Sequence, residues 1–175
     1  VLVLVVFAGI IDTDRAIAGF ANPAVVTIGA VYVMSSGLAR TGVAYSLGRR
    51  IGQLSGSSER RLVAITMLAA AVLSGFMNAV GAAAVLLPAV VAAARAINAP
   101  ISRILIPLSY AALIGNLLTL VGTPANLLVN SLLISEGHAG FGLFDFTPFG
   151  IVAIIAGTTL MTLAGGRLLP IRSSG

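Results

Sequence analysis

Cysteine, tryptophan and lysine are missing from all 175 residues. Without cysteine there can be no disulfide framework, thiolate metal site or cysteine nucleophile. Charge is scarce as well, at 9% of residues, where a soluble domain carries about 25%. With 58% hydrophobic residues and a mean hydropathy of +1.09, the polar side chains are too few to coat an aqueous globule. The ten basic residues are all arginines, and the pI of about 11.1 raises the question of nucleic acid. They sit between apolar runs rather than in one stripe, which is the pattern of cytoplasmic loops in a membrane protein. No nucleic-acid partner is expected.

The chain opens inside an apolar run, residues 1–11. That is about half of the ~20 residues that cross a bilayer, and no basic segment precedes it as in a signal peptide. The expectation is a truncated transmembrane helix at the start of a fragment. Further apolar runs cover 16–38, 62–94, 104–135 and 148–165, and the connectors between and after them carry net charges of −1, +4, +2, −2 and +2 in order. The K/R bias places the basic connectors on the cytoplasmic side, and the two acidic ones fall outside by elimination. The reading is one integral, multi-pass membrane domain over 1–175, in a bacterial-type inner membrane.

Two run lengths are informative. Residues 62–94 start and end at basic connectors but number only 33, whereas two crossings and a turn need ~40. A re-entrant helical hairpin is expected, with its tip at Ser74, Gly75, Phe76, Met77 and Asn78. Backbone that leaves a helix at such depth survives only inside protein or against a wet cavity. Residues 104–135 must cross once with 32 residues, about 48 Å as a single helix. A break at Gly122, Thr123, Pro124, Ala125 and Asn126 resolves the excess, because proline suits the first turn of a helix and threonine can cap it. The expected layout is a helix to about Leu120, a loop, and a half-helix to Ser135. Asn22 and Pro23 repeat the cap-then-proline pattern within 16–38, and 49–61 reads as a surface linker or a short interfacial helix.

Interrupted segments meeting in mid-membrane point to the binding site of a secondary transporter. The half-helices after Asn78 and after Thr123 direct free N–H groups inward, which suits an anion. The arms ending near Ser74 and Leu120 leave carbonyls that suit a hard cation.

Ser74-Gly75-Phe76-Met77-Asn78, the following stretch to Pro88, and Gly115-Asn116 followed by Gly122-Thr123-Pro124-Ala125-Asn126 resemble the first repeat of the divalent anion/sodium symporter family. That family lies within the ion transporter superfamily and includes citrate-transporter-like permeases. Segments 18–23 and 144–148 resemble its flanking signatures. The resemblance implies an all-α inverted-repeat carrier of dicarboxylate, citrate or sulfate, working as a homodimer with an elevator-like motion, with no cofactor and with Na⁺ or H⁺ as coupling ion. It implies substrate binding at Asn78, Ala79, Val80, Thr123, Pro124 and Asn126. A cation, held partly by main chain, is implied at Ser74, Asn78, Ala79 and Gly122. Ala79 and Val80 stand where the family tip carries Asn and Thr, and Asn116 stands where a second glycine is usual. The partners implied are a small anion, membrane lipid and a C-terminal half beyond residue 175.

Plainer roles exist for each of these residues. Asn78 and Thr123 could only cap helices, Ser74 could bond its own helix, and the alanines at 69–71, 82–84 and 92–94 read as close-packing surfaces. His138, in a polar loop, is expected in solvent. All five acids lie in connectors, so no nucleophile and base pair falls in an apolar run, and an enzyme is not expected. The alternatives are an arsenite exporter or sodium/proton antiporter of the same superfamily, or a non-transporting scaffold or channel half.

Overall fold

The computed structural model describes residues 1–41 and 43–168, and the described residues are helical with no strand. The helices are α1 (Leu2–Phe7), α2 (Thr13–Ala18), α3 (Pro23–Arg40), α4 (Val43–Ser55), α5 (Glu59–Phe76), α6 (Ala79–Ala96), α7 (Ser102–Gly115), α8 (Pro124–Ser135) and α9 (Thr147–Leu168), with 3-10 turns at Gly19–Ala21 and Leu120–Gly122. Arg172, Ser173, Ser174 and Gly175 lie outside the described residues.

Local chemistry sets most helix ends. Ser58 caps α5 through its hydroxyl, which accepts from the Arg61 amide at 3.5 Å. Asn78 caps α6 and accepts from the Gly81 amide at 2.7 Å. Pro23 and Pro124 occupy first helical positions, where their missing N–H would have no helical partner. Residues 16–38 are not one helix: the chain leaves α2 through a 3-10 turn and restarts at Pro23, and the segments Thr13–Ala21 and Val25–Met34 meet at 45°.

The order of the central helices follows from contacts at their two ends. At one end Arg103 of α7 lies 3.7 Å from Glu59 of α5. At the other, the Ser74 hydroxyl of α5 donates to the Ala112 carbonyl of α7. The two helices therefore run parallel, and α6, which leaves α5 at Met77 and Asn78, must return antiparallel between their ends. Helix α9 begins where Thr147 Oγ1 donates to the Leu118 carbonyl at 2.6 Å and ends where Arg103 Nη2 donates to the Gly166 carbonyl at 2.8 Å, so it is antiparallel to α7. Connectors around 58–61, 97–103 and the end of α9, all expected on one side of the membrane, meet at one end of this bundle.

Leu62, Met67, Leu86, Val90, Ile104 and Leu108 form the buried centre, joined by Ile51 of α4. Ala70, Ala71, Ala82 and Ala94 are buried between helices, as close-packing surfaces require. The remainder of the apolar surface faces outward. Among the described residues, Ala79–Ala96 and Thr147–Gly166 are long and apolar enough to cross a membrane, or three spans if the bent pair counts as one, and only 22% and 17% of those two windows are buried. Outward rows such as Val152, Ile155 and Leu163 form an apolar exterior suited to lipid or further protein.

Three boundaries differ from expectation. Of the two readings of 49–61, the helix is present over 49–55, but as the end of α4, which starts earlier, at Val43, and packs on α5 and α6 through buried Ile51 and Ser55. The hairpin breaks only at Met77 and Asn78, since Ser74, Gly75 and Phe76 are still helical. Helix α7 stops at Gly115 rather than near Leu120, for a reason that lies in its contacts with α5.

Candidate functional site

The site is built where α5 and α7 converge. Gly115 presses on the main chain of Ala71, leaving no room for a Cβ. The contact allows the backbones to approach within reach of short side chains. Ser74 reaches the Ala112 carbonyl, and the Thr119 hydroxyl donates to the Gly75 carbonyl. Ser74 and Thr119 are both buried. Beyond Gly115 the chain unwinds through tight turns in which the Asn116, Leu117 and Leu118 amides bond carbonyls three residues back. The Leu118 carbonyl takes the Thr147 hydroxyl, and the Leu120 amide donates to the Leu143 carbonyl at 2.9 Å. Gly150 of α9 lies so close that a Cβ there would be 2.6 Å from the Leu117 carbonyl. The loop is thus pinned from both sides, and the carbonyls of Ala112, Gly75 and Leu118 each accept a bond from a hydroxyl.

Asn116 joins the two halves of the site. Its amide nitrogen donates to Ser74 Oγ at 2.7 Å, to the Gly122 carbonyl at 3.0 Å and to the Ser74 carbonyl at 3.2 Å. Gly122, in turn, has no space for a Cβ because the Asn116 main chain fills it. Ser74 and Gly122, separated in sequence by α6 and α7, are brought together by this one amide.

The two helix starts open on a common cleft. Asn78, the cap of α6, lines it with Gly122 and Pro124 at the start of α8, and with Val121, Leu127 and the α3 residues Ile28, Val31 and Tyr32. Its free volume is about 10 Å³, which is near the space of one water. Asn126 sits on the first turn of α8, and its amide nitrogen is buried with no hydrogen-bond partner. Thr123 has the extended backbone of a cap, at φ −139° and ψ 141°, but its side chain makes no cap bond; the expected hydroxyl cap is replaced by the main-chain turn from the Asn126 amide to the Thr123 carbonyl at 3.2 Å. Ala79 and Val80 contribute side chains elsewhere, to an apolar groove between α6 and α7 shared with Leu87, Ser109 and Leu113. Their main-chain N–H groups remain at the start of α6.

Of the sequence-derived residues, Ser74 and Gly122 meet through Asn116, and Asn78, Gly122 and Pro124 share the cleft. Asn116, Thr119 and Thr147 hold the loop in place and carried no local signal of that role. His138 is exposed, and among the described residues no group of three His, Cys, Asp or Glu side chains is placed to hold a metal.

The profile of a family described as citrate transporter matches residues 1–175. An uncharacterized transporter of Escherichia coli (strain K12), YfbS, is 38% identical over 161 residues, covering 92% of this chain and 26% of the relative. The uncharacterized transporter sll0640 of Synechocystis is 35% identical across 98% of this chain and 28% of its own length. Sodium/sulfate cotransporter 1 of Chlamydomonas reinhardtii is 33% identical across 94% of this chain and 19% of its own length. The chain therefore spans about a quarter or less of these relatives. A match over every residue, together with a helical bundle whose exterior is apolar, makes this chain an integral membrane protein of the citrate transporter family.

Proposed function

We propose that this chain is one repeat of an ion-coupled secondary transporter for a small di- or trivalent anion, with sulfate, dicarboxylate and citrate as the candidate substrates. The observation that carries the reading is the convergence of two helix N-termini, those of α6 and α8, on one cleft lined by Asn78, Gly122 and Pro124. Each terminus offers main-chain N–H groups and partial positive charge. The buried, unpartnered Asn126 amide adds a side-chain donor beside them. Sulfate leads the candidates because the Chlamydomonas reinhardtii relative is a sodium/sulfate cotransporter. Na⁺ or H⁺ supplies the coupling. The anion site is completed from the far side by a C-terminal half, the carrier works as a homodimer, and the α5–α6 hairpin is re-entrant, with Met77 and Asn78 within the bilayer.

The test is uptake of radiolabelled sulfate, succinate and citrate into proteoliposomes holding the full-length carrier, under an inward Na⁺ or pH gradient. Accumulation of one of them, abolished when the gradient is collapsed and reduced by Asn126→Ala at equal reconstitution, is the expected result. Residues 1–175 alone should accumulate none. Failure of the full-length protein to accumulate any of the three, with arsenite or Na⁺/H⁺ exchange in its place, would overturn the reading.

A further inference from the structure

Three oxygens, two of Ser74 and one of Gly122, converge on one side-chain atom. They are Ser74 Oγ, the Ser74 carbonyl and the Gly122 carbonyl, at 2.7, 3.2 and 3.0 Å from the Asn116 amide nitrogen. The Ser74 proton is committed to the Ala112 carbonyl, so its oxygen faces Asn116 as an acceptor, and carbonyls can only accept. A donor must therefore fill the point between them, and the two amide N–H bonds do so, one of them shared. A hydroxyl and two carbonyls, buried near the ends of α5 and α7, form the kind of hard-oxygen set that also takes an alkali or alkaline-earth cation.

We infer that the Asn116 amide occupies a cation position built into this loop, so that the Ser74 and Gly122 oxygens are joined without Na⁺ and the loop binds none. The transport reading above enters only in the consequence, that coupling of this repeat to Na⁺ does not pass through these oxygens.

The experiment counts bound ²²Na⁺ per chain on the purified full-length protein, comparing wild type with Asn116→Gly and the near-isosteric Asn116→Asp. Each variant should bind one more Na⁺ per chain than wild type, and Asn116→Asp should gain a melting shift in NaCl over choline chloride that wild type lacks. An unchanged count, or a lower one, overturns the inference, the latter because it would make the amide oxygen a ligand. Should neither variant fold, thallium-soaked crystals of wild type decide: no anomalous peak is expected between Ser74 and Gly122, and a peak there overturns it. Failure to accumulate any of sulfate, succinate and citrate would sink the transport reading while leaving these counts unaffected.

Discussion

Gly115 of α7 lies against the Ala71 main chain of α5 so closely that a Cβ at 115 would clash with the Ala71 carbonyl and with its Cα, 2.6 Å away. Everything in the candidate site downstream of this crossing depends on it, because Ser74, Thr119 and Asn116 are all short and reach their partners only when the backbones touch.

Gly115→Ala should therefore lower stability by about 1–3 kcal/mol, the usual result of overpacking a tight contact. Thermal melting of the purified protein measures this, with Gly29→Ala as the control, since a Cβ at Gly29 meets no atom within 4 Å. A melting temperature for Gly115→Ala equal to wild type would mean the helices do not approach as described.

The two helix starts should respond differently to loss of their side chains. Asn78→Ala removes a bond of 2.7 Å to the Gly81 amide and should cost about 1 kcal/mol. Thr123→Val removes a hydroxyl that makes no cap bond and should stay within about 0.5 kcal/mol. Equal losses in melting experiments would contradict this assignment of the caps.

Thr119→Val keeps the shape of the side chain but leaves the Gly75 carbonyl without its donor. Buried as this pair is, the expected destabilisation is about 1–3 kcal/mol. Thr119→Ser, which retains the hydroxyl, should recover much of it; no difference between Val and Ser would remove the hydrogen bond from the account.

Side of exposure can be read with single cysteines, because the chain has none. Ser57, between α4 and α5, should label from the cytoplasm with a membrane-impermeant maleimide, and His138 from outside. Labelling of both positions from the same side would invert or collapse the topology.

Much of the architecture was legible before folding because it depends on neighbours in sequence. The near absence of charge implied a membrane, Asn78 and Pro124 marked helix starts through their own hydrogen bonding and ring geometry, and α8 runs to Ser135 as its apolar length required. The end of α7 was not legible. Residues 116–120 are mostly good helix formers, and nothing local stops a helix there. It stops because Gly115 meets Ala71, Thr119 bonds Gly75, and α9 supplies Thr147 and Gly150 to the freed backbone.

The same division runs through the site. Composition and spacing alone determined that Asn78 and the Thr123–Pro124 step would lie at breaks in apolar helices, since caps and prolines act within a turn, whereas Ser74 stays inside α5. Which of them touch was decided by tertiary structure. Helix rotation sent the Ala79 and Val80 side chains into a groove against α7, and left Asn78 facing Gly122 and Pro124. Asn116, with only a polar amide to mark it in sequence, became the link between Ser74 and Gly122, because hydrogen bonds between carbonyls and an amide from separate elements exist only once the helices have packed.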